Sequence, residues 1–184
     1  MGVRSQRISS LMRACLKWGF RLGISATILF ALAWVSLPFP LEDYLRYDAS
    51  RFITDRNNKL LRTTLNNAGQ RCMPIGLEDA GEWIPAALIA AEDKRFHGHS
   101  GLDYLALGRA IWQVVTNWDV VSGASTLTSQ TIRLVKPRPS NLLSKGIEAF
   151  RALQIEKLLT KEEILEQYLN RSPFGGNIVG IRAA

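Results

Sequence analysis

The stretch that decides the fold runs from Ala86 to Asp103, AALIAAEDKRFHGHSGLD. An apolar run stops at a carboxylate pair, Glu92-Asp93. Two cations, an aromatic ring, both of the chain's histidines and two glycines follow within eight positions. Upstream, the pattern turns helical at Trp83, with Pro85 in the first turn, where its missing N–H costs little. Downstream, Asp103 can cap a helix running through ALGRAIWQVVTNW. Gly123 breaks the chain, and Ser125 or Thr126 can cap LTSQTIRLV. Pro137 and Pro139 end that segment, and Asn141 or Ser140 can open a long helix to about Leu159. Thr160-Lys161-Glu162-Glu163 is a capping-box pattern. It starts EEILEQYLN, whose buried stripe is expected to be Ile164, Leu165, Tyr168 and Leu169. The body is therefore predicted to be mainly α.

Working outward, residues 42–75 read as a small β region. RFITD and KLLRTTL flank a turn at Arg56-Asn57-Asn58, and Asn66-Asn67-Ala68-Gly69 makes another. Its expected role is a stalk or docking ribbon. Before it lies LGISATILFALAWVSLPFPL, residues 22–41, which carries no charge. A bilayer core needs about 20 mostly apolar residues in a helix, so the length suffices. Pro38 and Pro40 are expected to end that helix, and Trp18 and Trp34 suit the two interfaces. A cleaved signal peptide also has basic and apolar parts. Here bulky Leu37, Phe39 and Leu41 follow the apolar run instead of a small-x-small site, which favours an uncleaved anchor.

Of the net charge of +7, five units come from Arg4, Arg7, Arg13, Lys17 and Arg21, before any acid appears. The excess is a basic tail, residues 1–21, and the body is nearly balanced. This argues against a nucleic-acid partner and, by the positive-inside rule, for a cytoplasmic N-terminus with the body outside. Cys15 and Cys72 then lie on opposite sides of a membrane and cannot pair. No cysteine cluster has zinc spacing.

Several side chains are candidates for chemistry. Glu92 follows a segment apolar enough to be buried, and a partly desolvated carboxylate is a better general base. An exposed Glu ending a helix is the blander reading, and spacing alone favours it. Asp93, His97 and His99 make a weak metal signal and fit a braced loop better, with Gly98 and Gly101 supplying unusual backbone angles. On a helix, Thr126, Gln130 and Arg133 share one face. Hydroxyls at Ser125, Thr126 and Thr128 crowd its N-terminus, where free N–H groups favour an anion. Simple capping with a solvated face is an equal alternative. Lys145, Glu148, Ala152 and Glu156 form a polar stripe opposite Ile147 and Phe150. Such a stripe can line a groove, though a solvated face is the commoner case. Glu156 with Lys157 reads as ordinary pairing.

Taken together and in order, these stretches resemble a known family. EDKRFHGHSG at 92–101 is similar to E-D-R-x-F-x-x-H-x-G, and GASTLTSQ at 123–130 to G-x-S-T-L-T-Q-Q. Lys145-Gly146-Ile147-Glu148 resembles K-x-x-E, and ILEQYLN at 164–170 resembles I-L-E-x-Y-L-N. The resemblance is to family 51 glycosyltransferases, the peptidoglycan transglycosylase domain of class A penicillin-binding proteins. It covers about residue 80 to the C-terminus. NRSPFGG and the TSQTIRL variant look most like the 1C branch.

The resemblance implies a lysozyme-like, mainly α domain outside the bacterial inner membrane, residues 76–184, following an N-terminal transmembrane helix and the short β region. It implies lipid II as substrate and a growing glycan strand as product, by inverting transfer with release of undecaprenyl diphosphate. Glu92 would be the general base for the acceptor's 4-hydroxyl, and Glu148 the second active-site carboxylate. Asp93 would shape and polarise the surroundings. Ser125, Thr126, Gln130 and Arg133 would hold the donor's diphosphate or sugar, and Lys145 would neutralise the leaving diphosphate. No residue set fixes a metal. The chemistry permits a divalent cation, Mg or Mn, without requiring one. Other cell-wall synthesis proteins are potential partners.

Departures are few. Lys94, among the substrate-binding candidates, replaces an Arg and loses a two-pronged donor. Ser129 replaces the first Gln, Arg133 replaces a Lys, and Ser144 stands where an Arg often precedes Lys145. The family domain continues beyond the equivalent of Ala184, so a C-terminally incomplete domain is expected. Nothing resembles S-x-x-K with K-T-G, so no penicillin-binding activity is expected of this chain. The alternative to a working polymerase is a catalytically inactive, membrane-anchored module that binds lipid II or cell-wall synthesis partners.

Overall fold

A computed structural model describes residues 2–117 and 125–184. The chain divides into two compact units, Met1–Phe39 and Pro40–Ala184. The first unit is a single helix, α1, Gly2–Ser36. Its segment Leu16–Ser36 is long and apolar enough to cross a membrane. That span contains residues 22–36 of the expected 22–41. Arg21 lies over the Trp18 ring, 5.6 Å from its centroid. This contact lets a cation sit within the helix without an acid partner. The helix stops at Ser36, two residues before Pro38, as the steric demand of proline on its predecessor requires.

The second unit is mainly α. It opens with a short helix α2, Leu41–Leu45, then β1, Phe52–Thr54, and β2, Leu60–Thr63, which pair antiparallel. The turn between them matches expectation. Asp55 Oδ1 accepts from the Asn57 and Lys59 N–H groups, and Asn58 takes a positive φ of 61°. β3, Arg71–Cys72, follows, then a 3-10 turn at Leu77–Ala80. The helices are α3, Trp83–Glu92; α4, Tyr104–Asn117; α5, Leu127–Val135; α6, Leu142–Ile155; and α7, Lys161–Arg171. A last strand, β4, Ile178–Val179, pairs parallel with β3. The expected break at Gly123 lies outside the described residues.

Four helix starts have a visible cause. Asp103 Oδ1 accepts from the Ala106 N–H at the head of α4. Thr126 and Ser129 form a reciprocal capping box on α5, and Thr160 and Glu163 form another on α7. Asn141, one of the two expected caps, accepts from the Ser144 N–H. The end of α6 differs from expectation. α6 ends at Ile155, four residues before Leu159, as its last turn tightens through bonds from Lys157 to Gln154 and from Leu158 to Ile155. Of the stalk and docking ribbon expected for the β region, the contacts are those of a docked ribbon. Cys72 is buried, and its N–H donates to Ser50 Oγ. Arg171 at the end of α7 donates to the Tyr44 and Arg46 carbonyls at 2.7 and 2.9 Å.

The core lies where α5 packs between α6 and α7. Leu127 and Ile132 meet Ala152 and Ile155 of α6 and Ile164, Leu165 and Leu169 of α7, all buried. Tyr168 is only half-buried, with its hydroxyl turned toward α5. Asn170 is fully buried and clamps the backbone of Ile75, accepting its N–H at 3.0 Å and donating to its C=O at 2.8 Å. Glu166, one turn earlier on the same face, accepts the Leu77 N–H at 3.1 Å. These two motif residues thus dock the segment leading into α3. By contrast, α4 turns Tyr104, Leu105, Ile111, Trp112 and Val115 outward.

Candidate active site

The loop after α3 is built around Asp93. Its side chain is buried, and Oδ2 accepts from the Leu127 N–H at 3.0 Å and faces His99 Nε2 at 3.0 Å. The anion attracted to the N-terminus of α5 is therefore the protein's own Asp93. The Ser129 N–H is likewise taken, by Thr126 Oγ1. This corrects the expectation that these N–H groups are free for a ligand. The Thr126 hydroxyl is buried and donates to the Gly101 carbonyl at 2.7 Å. Gly101 sits at φ +89°, and a Cβ there would lie 2.6 Å from the Ala152 carbonyl oxygen. Of the two loop glycines, Gly101 needs the left-handed region, and Gly98 does not. The braced-loop reading of His99 holds, and His97 is exposed. Among the described residues no three His, Cys, Asp or Glu side chains converge on a common point that could hold a metal. They do not fit such a group.

Glu92 ends α3, in the exposed position that spacing alone favours. What differs is the apolar segment before it: α3 buries none of its residues, and Glu92 stands exposed at the rim of a cleft. A cavity of ≈ 500 Å³ opens beside it, lined by Glu92, Lys94, Arg109, Ser125 and Thr126 among others. Arg95, in the same wall, grips Asp103 with both prongs at 2.6–2.9 Å. Burial pushes the Asp103 carboxyl up, but the Ala106 N–H and the Arg95 guanidinium outweigh it and hold the carboxyl below its ordinary value.

The α5 face predicted from spacing connects the two candidate carboxylates. Gln130 Nε2 donates to Glu92 Oε2 at 3.1 Å. One turn on, Arg133 Nε lies 3.8 Å from Glu148 Oε1. Glu148 is buried, with Ser144 and Ala152 on the same side of α6, while Lys145 is exposed one turn before it. The polar stripe of α6 thus points inward, and Ile147 and Phe150 lie nearer the surface. The helix buries its polar side because α5 offers partners there. Thr128 donates to Glu156 Oε1 at 2.6 Å, and Lys161 Nζ lies 2.7 Å from the same oxygen. The partner of Glu156 is therefore Lys161, not Lys157. Lys161 also lies over the buried Phe96 ring at 4.4 Å.

One residue of the site went unread in the sequence. The Tyr168 hydroxyl donates to Gln130 Oε1 at 3.2 Å, so the amide is fixed from one side and presents its N–H to Glu92 from the other. Burial pushes the phenol up; the nearby Glu92 charge adds to this, and Arg133 opposes it. The available signal was helical phase. Tyr168 lies about 200° around α7 from Glu166, so the motif serves two faces.

Comparison with known proteins identifies the family. A family model described as Transglycosylase matches residues 57–184. The chain belongs to the transglycosylase family. The match begins within the β region, ahead of the motifs. Penicillin-binding protein 1C of Escherichia coli K12 is 37% identical over 166 residues, covering 89% of this chain and 21% of that protein. Penicillin-binding protein 1A of Clostridium tetani is 30% identical over 165 residues, again 21% of its length. A biosynthetic peptidoglycan transglycosylase of Salmonella arizonae is 39% identical over 111 residues, 60% of this chain and 46% of that protein. This transglycosylase chain thus spans about a fifth of the length of the first two relatives.

Proposed function

We propose that this transglycosylase chain polymerises lipid II into glycan strands by inverting transfer, releasing undecaprenyl diphosphate. The observation that carries the reading is one face of α5 touching both carboxylates, Glu92 through Gln130 and Glu148 through Arg133. Glu92 would take the proton from the acceptor's 4-hydroxyl. One of its oxygens is held by Gln130, and the other has no protein partner among the described residues. Arg133 and Lys145 would oppose the charge that grows on the leaving diphosphate, with Glu148 fixing Arg133. Ser125 lies open on the cleft for the donor, while Thr126 would act by setting the start of α5. Asp93 would hold the loop in place. A divalent cation, if used, would arrive on the substrate's phosphates. The anchor would sit in the bacterial inner membrane with the N-terminus cytoplasmic and residues 42–184 outside. There the enzyme would meet its lipid substrate in two dimensions, beside other cell-wall synthesis proteins.

The test is polymerisation of labelled lipid II by the purified chain, with Glu92→Gln and Glu148→Gln alongside. Polymer is expected from the parent, and at least about 100-fold less from Glu92→Gln, the lower end of general-base contributions. Equal product from both would remove Glu92 from the mechanism. Binding of lipid II with no polymer, unchanged by Glu92→Gln, would establish the inactive anchored module instead.

A further inference from the structure

The proposed reaction leaves the β1–β2 hairpin without a task. Its flank is tied to the body, where Ser50 and Cys72 bond to each other. The hairpin itself keeps its apolar side chains in solvent. Phe52, Ile53, Leu60, Leu61 and Leu65 are each 45–65% exposed. Four cations stand among them, Arg51, Arg56, Lys59 and Arg62, against one acid, Asp55. Asp55 Oδ1 is already engaged by the Asn57 and Lys59 N–H groups in the turn. Among the described residues, none of the four cations makes a side-chain ion pair or hydrogen bond. The family match begins at residue 57, so β1 lies outside it.

The register shows how this surface is arranged. Opposed residues share a face, and successive residues alternate. Phe52, Thr54, Leu60 and Thr63 therefore lie on one face, and Ile53 and Arg62 on the other. Exposed apolar surface thus occurs on both faces. A flat lipid surface meets one face at a time. The ribbon is two strands wide, about 10 Å, so a polypeptide segment can reach around it to both. Charges and a bulge also blunt an exposed strand edge against stray pairing. Blunting explains a cation or two, but not five large apolar side chains beside them. Arg and aromatic side chains are enriched at protein interfaces and Lys is depleted, and three of the four cations here are Arg. A lone two-stranded ribbon is also marginal in water, and a covering partner stabilises it.

We propose that the β1–β2 hairpin docks an acidic, apolar segment of a partner protein. Carboxylates of that segment face Arg51, Arg56, Lys59 and Arg62, while its apolar side chains cover Phe52, Ile53 and Leu60. Complementary charge of this kind speeds the encounter and rejects basic partners. The cleft plays no part, since none of these residues lines the cavity beside Glu92.

The full chain in a non-ionic detergent serves for the test, as parent, Ile53→Ser, and Arg56→Glu combined with Lys59→Glu. The probe is a labelled peptide of alternating Glu and Val, followed by fluorescence anisotropy. A Lys–Val peptide and a Glu–Ser peptide are the controls. The Glu–Val peptide is expected to bind the parent at least about ten-fold more tightly than either control, and to lose about ten-fold in each variant. Its affinity should fall as salt is raised. Hydrogen exchange should slow across residues 51–65 on binding, and both variants should melt with the parent and keep its polymerisation rate. Equal binding of the Glu–Val and Lys–Val peptides, or of parent and variants, overturns the proposal. A parent that binds no peptide, yet loses binding to phosphatidylglycerol vesicles with Arg56→Glu and Lys59→Glu, makes the hairpin a lipid contact and overturns it too. Self-association of the parent that Ile53→Ser abolishes, with no peptide bound, assigns the hairpin to a second copy of this chain and does the same.

Discussion

Replacing Gly101 with Ala tests the loop that positions the cleft. Gly101 sits at φ +89°, where an L side chain costs about 1–2 kcal/mol. The added Cβ would lie 2.6 Å from the Ala152 carbonyl oxygen and 3.2 Å from Glu156 Cγ, a backbone and a pinned side chain. Forcing a methyl into such a space costs about 1–3 kcal/mol more. The sum, about 2–5 kcal/mol, is a large part of ordinary domain stability. At roughly 3 °C per kcal/mol for a unit of this size, the melting temperature should fall by about 6–15 °C. Gly98 is the internal control, with no heavy atom within 4 Å of a built Cβ and an ordinary φ, so Gly98→Ala should melt near the parent. Near-UV circular dichroism on the intact chain in detergent gives the transition. Because the Gly101 carbonyl accepts the Thr126 hydroxyl, polymerisation should also fall below the melting range. A Gly101→Ala melt within about 2 °C of the parent would refute the claim that this loop is wedged against α6.

Three further outcomes follow from contacts described above. Lys161→Met strands a buried Glu156 and should cost about 3–5 kcal/mol, seen as a lower denaturant midpoint, with part restored by adding Glu156→Gln. Tyr168→Phe frees the Gln130 amide and should lower kcat/KM about three- to ten-fold with little change in melting, the size of one neutral hydrogen bond. Asp103 has a lowered folded pKa, so its contribution is present above the unfolded value of about 3.9 and is lost as pH falls through the folded one. The melting gap between parent and Asp103→Asn should therefore stay constant from about pH 5 to 8 and close in acid.

Much of this fold is written in local chemistry. Thr126, Asn141 and Thr160 announce three helix starts because a cap needs only its own side chain and the next few amides. The face joining Gln130 and Arg133 followed from helical period alone. The unread parts depend on partners distant in sequence. β3 and β4 are two-residue strands whose pairing joins Arg71–Cys72 to Ile178–Val179, too short to leave a periodic signal. The exposure of α3 was hidden because an apolar decapeptide reads as core. The inward turn of the α6 stripe was decided by Thr128 and Arg133, residues of another helix. Asp93 was legible as part of a motif but not as the acceptor for the first amide of α5, since that amide is 34 residues away.

The outward face of α4 has a practical consequence for handling the protein. Cutting the chain after α1 removes its longest apolar segment yet leaves Tyr104, Leu105, Ile111, Trp112 and Val115 facing solvent. Contiguous greasy surface of this kind associates with micelles or with itself. A soluble-looking truncation should therefore still elute as a detergent-laden or aggregated species, and surfactant belongs in every buffer even after the anchor is gone.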